Sequence, residues 1–219
     1  MSKKLVLIPF ISACIVVLFY SLFKILIPQV IYDPIDVLKI AIEAKDPSKC
    51  DVLPIGGQFG DVEPRAECQL RSAVTIGNIT LCDQIIEYND SCHLEIAENK
   101  KDVSLCSDKA FDYNFCVYKV AASAIDPSIC NYVKNDAKRS KTGCIYEVVG
   151  DNILEASRPP TISAQQAIEI CKLIPDEIVS DHCFGNVIYK FRDSSFCSLI
   201  QNRSNLKLMD SILETVCPI

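Results

Sequence analysis

The chain has 219 residues, 22 basic and 28 acidic side chains, two histidines and thirteen cysteines, for a formal net charge of −6. Lys3, Lys4 and Lys24 are the charged residues of the first 32 positions, so the remainder carries 19 basic against 28 acidic groups, a surface that repels nucleic acid phosphates. The length accommodates a membrane segment and one domain of about 185 residues. Cysteine at this density, behind an apolar N-terminus, points to a disulfide framework and an oxidising compartment. No cysteine pair has the C-x2-C spacing of a zinc grip, so neither a metal nor any other cofactor is expected.

Leu5 to Phe23 carries no charge, and beyond Lys24 the apolar run resumes through Ile27. As a helix, residues 5–27 span roughly 34 Å, enough to cross a bilayer core. Lys24 would extend its ammonium to the headgroups, and Pro9 falls in the first turns, where proline is tolerated. Lys3 and Lys4 before the segment, and Asp33 and Asp36 after it, place residues 1–4 in the cytoplasm and the rest outside. A cleaved signal peptide would have a shorter apolar core and a small-residue exit, whereas this run ends in Ile27, Pro28 and Gln29. Ile11 to Cys14 resembles a lipobox, but the apolar run continues past Cys14 where a polar tether would be expected, so Cys14 reads as a small side chain inside the span.

From residue 33 the chain repeats. Asp33 and Pro34 open a helix with Asp36 and Ala41 in the places later taken by a cysteine and a small residue, a cysteine-free capping half-repeat. The pattern [D/N]-x-[S/T]-x-C then recurs from Asp46 to Cys50, Asn78 to Cys82, Asp102 to Cys106, Asp126 to Cys130 and Asp193 to Cys197. Asp or Asn is a good N-cap and Pro47 and Pro127 suit the first helical position, so each motif predicts the start of a short helix A. A second cysteine class, Cys68, Cys92, Cys116 and Cys183, lies fourteen residues before a motif cysteine and opens helix B, with Ala73, Ala97, Ala121, Val149 and Ile188 five residues after Cys68, Cys92, Cys116, Cys144 and Cys183. Small residues there let neighbouring helices approach closely.

The distance from motif cysteine to second cysteine varies while the fourteen-residue distance does not, which marks the A–B connection as a loop. Ten helical residues carry the chain about 15 Å away from the second cysteine, beyond the roughly 7 Å allowed between disulfide Cα atoms. Pairing is therefore expected within each hairpin: Cys50–Cys68, Cys82–Cys92, Cys106–Cys116, Cys130–Cys144, Cys171–Cys183 and Cys197–Cys217. Hairpins this small must share a core with their neighbours, so the expected fold is all-α: a transmembrane helix followed by a disulfide-clipped helical-hairpin array, a short α-solenoid. Residues 33–149 form its first part, and the phase is lost over 150–162, a linker or bend. Residues 163–219 resume it, starting at Ser163 and Gln166, which make a capping box.

The two recurring patterns resemble cysteine-rich helical repeats of uncharacterised exported or membrane-anchored microbial proteins, particularly archaeal ones. The resemblance covers residues 36–217, and Cys171 and Cys217 depart from its phase. It implies helical hairpins exposed outside the membrane and brings no activity with it.

Several residues stand out beyond the repeats. Phe111, Tyr113, Phe115 and Tyr118 make an aromatic cluster that would either grip a protein partner or pack between repeats. Lys134, Lys138, Arg139 and Lys141 form the basic cluster of the exported part, a solvated loop or a contact for an acidic partner or lipid headgroups. Asn78, Asn89 and Asn202 begin glycosylation sequons, with Asn78 also serving as an N-cap. Gly56, Gly57 and Gly60 read as a flexible insertion, because no Lys-Ser/Thr follows to make a phosphate loop. His93 and His182 adjoin Cys92 and Cys183 and could act as ligands or bases only beside reduced thiols. No G-x-S-x-G, H-E-x-x-H or C-x2-C is present, so a binding or scaffolding role in the cell envelope is expected over an enzyme such as a thiol oxidoreductase, with a self-associating envelope component as the other non-enzymatic reading.

Overall fold

The computed structural model of the chain describes residues 33–55, 63–85, 87–106, 112–134, 139–154, 158–202 and 215–217. These residues are helical, with no strand among them. The α-helices are α1 (Pro34–Ala44), α2 (Pro64–Ile76), α3 (Asn89–Lys100), α4 (Tyr113–Ala124), α5 (Lys141–Ile153), α6 (Ala164–Cys171) and α7 (Glu177–Phe191). Short 3-10 helices stand between them: η1 (Pro47–Val52), η2 (Ile79–Gln84), η3 (Val103–Leu105), η4 (Pro127–Tyr132) and η5 (Ser194–Leu199). Among the described residues no helix is long and apolar enough to cross a membrane. The expected span 5–27, Cys14, Phe111, Lys138 and the glycines at 56, 57 and 60 lie outside them.

Helix A is the point at which the sequence expectation needs correction. Each motif folds into one or two turns of 3-10 helix and not into an α-helix, and the motif itself explains why. The Asp or Asn oxygen accepts the backbone N–H two residues on, at 3.0 Å for Ser48, 3.2 Å for Thr80, and 2.9 Å for Ser104, Ser128 and Ser195. In three motifs the hydroxyl at that position donates to the same oxygen: Ser48, Thr80 and Ser104, at 2.7, 3.0 and 2.7 Å. That local turn closes i to i+3 bonds such as Leu81 N–H to Asn78 O at 3.0 Å and Ile85 N–H to Cys82 O at 3.0 Å. The tighter helix is used in short pieces, and here it ends two residues after most of the motif cysteines.

The fixed spacing of fourteen has an equally local cause. Lys45, Gly77, Lys101, Ile125 and Arg192 have φ of 53, 70, 55, 56 and 57°, each directly before a motif Asp or Asn. At three of these turns the left-handed residue and the residue after it close a double bond onto the helix end. Asp46, Asp102 and Asp126 donate to Ala41, Ala97 and Ala121 at 2.9, 3.0 and 3.0 Å, while Lys45, Lys101 and Ile125 donate to Ile42, Glu98 and Ala122 at 3.1 Å. This is the Schellman ending. At Gly77 and Arg192 a single bond returns to Ala73 and Ile188. One Asp therefore closes helix B with its N–H and opens the 3-10 turn with its side chain, leaving no room for a residue more or fewer. Ala41, Ala73, Ala97, Ala121 and Ile188 are fully buried at the last turn.

Six disulfides join Cys50–Cys68, Cys82–Cys92, Cys106–Cys116, Cys130–Cys144, Cys171–Cys183 and Cys197–Cys217, with Cα separations of 5.6 to 5.8 Å. The apolar interior is divided in the same rhythm. Cys50 and Cys68 sit with Val37, Ala41 and Leu53; Cys82 and Cys92 with Leu70, Ala73, Ile85 and Ile96; Cys116 with Ala97 and Val120. The largest cluster joins α4 to α7 and runs from Tyr118 through Val148 and Ile168 to Val187. Every cluster contains disulfide cysteines, the largest holding both Cys130–Cys144 and Cys171–Cys183, and a bond closing a ten-residue loop contributes about 2.7 kcal/mol in the chain-entropy account. The Ser163–Gln166 capping box opens α6, which takes the place of a 3-10 turn and ends in Cys171.

Candidate functional site

Tyr113, Phe115 and Tyr118 of the aromatic cluster and Lys134 and Arg139 of the basic one, 16 to 26 residues apart in sequence, come together at the N-terminal ends of α4 and α5. Asn114, 3 % exposed, accounts for this: its amide donates to Lys134 O at 2.6 Å and accepts from Lys134 N–H at 2.7 Å. The ammonium of Lys134 then lies 4.0 Å from the centre of the Tyr113 ring, and the guanidinium of Arg139 lies 4.8 Å from Phe115 and 5.5 Å from Tyr118. Arg139 also bonds Asp112 at 2.8 Å. Tyr118 is 7 % exposed, and its hydroxyl donates to Ser140 O at 2.5 Å, so it is a packing residue and not a surface anchor. Tyr113 and Phe115 are half-buried beneath the cations, whereas Lys134 and Lys141 are exposed.

A second holding residue follows the same rule. Asp181, 1 % exposed, accepts from Gln201 N–H at 2.8 Å and Asn202 N–H at 3.0 Å. Asn114 and Asp181 each stand two residues before a helix-B cysteine and each grip a backbone twenty residues on, four past the next motif cysteine.

The described residues also enclose a cleft of about 680 Å³ that the sequence reading did not single out, lined by α3, α4, α5 and the segment after α5. Its origin is the one place where the fourteen-residue phase breaks. Leu154 has φ −91° and makes no left-handed turn, so no motif Asp closes α5. Thr161 does so instead, donating its N–H to Asn152 O at 3.0 Å and its hydroxyl to Asn152 Oδ1. Asn152 fixes the wall by donating to Ala122 O and Val148 O at 2.8 Å.

Charge is concentrated there. Lys119 from α4 bonds Asp151 at 2.7 Å and approaches Glu147 at 3.7 Å, both on α5, and Glu98 on α3 faces the same cavity. Burial is the largest single influence and would lower the Lys119 pKa, but the bond to Asp151 and the charges of Asp151, Glu147 and Glu98 together outweigh it and raise it. Burial, reinforced by the neighbouring Asp151 charge, raises Glu147 above the ordinary glutamate range, and burial raises Glu98 as well. Arg158, Pro159, Leu154 and Tyr146 complete the rim.

Of the other sequence-derived residues, His93 is 13 % exposed and meets Asp83 at 3.2 Å across the Cys82–Cys92 bond. Its Nδ1 is buried without a partner. Both cysteines flanked by histidine are in disulfides, so neither histidine has a thiolate to act upon. Asn78 is exposed and serves as the η2 cap, while Asn89 is half-buried and donates to Cys82 O at 2.9 Å. Asn202 is exposed. Among the described residues no cluster of three or more His, Cys, Asp or Glu has metal-binding geometry.

The fold and clefts thus define an all-helical, disulfide-clipped protein. No family model, curated protein or solved structure matches this chain.

Proposed function

We propose that the protein is a single-pass membrane protein with its N-terminus in the cytoplasm, whose exported portion is a short α-solenoid of clipped hairpins acting as a protein-binding or scaffolding module of the cell envelope. The observation that carries this reading is the set of six disulfides, built into the apolar clusters between the helices, in a chain whose first 27 residues have the composition of a signal anchor. Such cross-links form and persist in oxidising spaces. The recurring left-handed and Asx turns join each B helix to the next 3-10 turn in the same way, and in this reading the hairpins stack and expose a long surface suited to protein partners. The reading assigns no free-thiol chemistry, since the twelve cysteines after the anchor are all bonded to one another. Protease added to intact cells should remove an epitope placed at residue 219 and spare one placed before Ser2. Protection of the C-terminal epitope, or release of the whole chain by washing, would refute the topology.

A further inference from the structure

We infer that the cleft between α3, α4 and α5 receives one arginine or lysine side chain from a partner protein, a step that rests on the binding-module reading and gives it a site. The cleft volume of about 680 Å³ lies within the range of pre-formed ligand sites, and it is far larger than one side chain needs, so a segment of backbone can enter with it. Its charge selects the occupant. Glu98, Glu147 and Asp151 bring three carboxylates from two helices, while Lys119 and Arg158 bring two cations. Asp151 holds the Lys119 ammonium at 2.7 Å and Glu147 stands farther off at 3.7 Å. Among the described lining residues acidic groups therefore outnumber basic ones, three to two, and an added cation suits that balance.

The direction of titration agrees with this count, since Glu98 and Glu147 are both held above the ordinary glutamate range, burial being the first cause in each. A guanidinium or ammonium beside them would offset that unfavourable burial of charge. The rest of the lining suits a long aliphatic stem: Ala122, Ile153, Leu154 and Pro159 supply the apolar surface, and Leu154 is 39 % exposed at the rim. Tyr146 also lines the cleft, its ring positioned by Asn186, which donates to its hydroxyl at 2.7 Å. An anionic side chain would meet the same carboxylates and be repelled.

The test uses the full chain with its disulfides intact, in detergent micelles, labelled with 15N-glycine. The seven glycines give a simple spectrum in which Gly150 lines the cleft and Gly77 lies in a remote turn. Nothing lies within 4 Å of an added Cβ at Gly150, so Gly150→Ala folds and assigns that signal. Titration with Nα-acetyl-arginine amide should move the Gly150 signal saturably and leave Gly77 in place. Nα-acetyl-citrulline amide, of the same shape without charge, should not saturate. Glu147→Gln and Glu98→Gln should each raise the half-saturating concentration about tenfold, with the Gly77 signal unchanged as the check on folding. No saturable shift, equal shifts with citrulline, or titrations unaltered in both variants would overturn the inference. None of those results bears on topology, which the protease experiment reads separately.

Discussion

Asn114 offers a sharp test of how the helices are held to the segments that follow them, because its two bonds require an amide. Its Nδ2 donates to Lys134 O at 2.6 Å and its Oδ1 accepts from Lys134 N–H at 2.7 Å, at a site only 3 % exposed. Asn114→Asp keeps the shape and the acceptor but turns the donor into a second carboxylate oxygen facing the Lys134 carbonyl. One bond is lost and an acceptor is left against an acceptor in a part-buried site, a loss of about 3 kcal/mol at pH 7. Protonation restores an O–H that can donate to Lys134 O, so the loss should shrink to about 1 kcal/mol near pH 4. Asn114→Ala, with nothing to protonate, should lose about 2 to 4 kcal/mol at both pH values. Asp181 supplies the mirror image, since it accepts two N–H donors, and Asp181→Asn should be destabilised at pH 7 without rescue in acid. The assay is urea unfolding of the full, oxidised chain in micelles, each variant compared with wild type at the same pH by circular dichroism. Equal stability of Asn114→Asp and wild type at pH 7, or an equal loss at both pH values, would refute the reasoning.

The left-handed turns predict opposite signs at two positions: Gly77→Ala, at φ 70°, should lose about 1 kcal/mol, while Lys101→Gly, exposed and at φ 55°, should gain up to about 1 kcal/mol in the same unfolding assay. Gly143 is held small by Tyr118, whose oxygen would lie 2.9 Å from an added Cβ, so Gly143→Ala should cost about 1 to 3 kcal/mol in wild type and little or nothing in a Tyr118→Phe background; an equal cost in both would exclude the clash. Hydrogen bonds from Ser48, Ser104 and Ser195 hold the Asp46, Asp102 and Asp193 carboxyls below the ordinary aspartate range. Their stabilisation is therefore complete above that range and lost as pH falls through the depressed folded values. Replacing all three by Asn keeps the caps and should flatten the acid arm of the stability profile. Glu98 and Glu147, being raised, act with the opposite sign: their contribution is present below the ordinary glutamate range and lost as pH rises through the folded values.

The repeats were legible because their determinants are local. An Asp that caps, a cysteine four residues later and a small residue at the last turn of helix B each act within one turn of chain, so spacing and helix reach point to the first four pairs, while Cys171 and Cys217 lie out of phase. The cap pattern marks where helix A starts but does not distinguish its type, which the Ser or Thr hydroxyl on the same oxygen tips toward the tighter turn. The left-handed residues escaped notice because only Gly77 is a glycine, and Lys45, Lys101, Ile125 and Arg192 carry no compositional signal for a positive φ. The joining of the aromatic and basic clusters depends on Asn114 reaching twenty residues along the chain, a tertiary contact that no local pattern encodes. The cleft had a visible sign, the break in phase after Gly150, which was read as a bend. What it lacked in sequence was any indication that Glu98, Lys119 and Asp151, far apart along the chain, converge there.

The central claim is a chain clipped hairpin by hairpin in an oxidising compartment, and its most direct test is the state of the cysteines in protein taken from its own cells. Thiols should be blocked with N-ethylmaleimide before lysis, and the full chain digested without reduction and read by mass spectrometry. The account predicts peptides joining Cys82 to Cys92 and Cys106 to Cys116, the other four pairs likewise, and no blocked cysteine after the anchor. Blocked thiols at these positions, or links from one hairpin to the next such as Cys92 to Cys106, would contradict it.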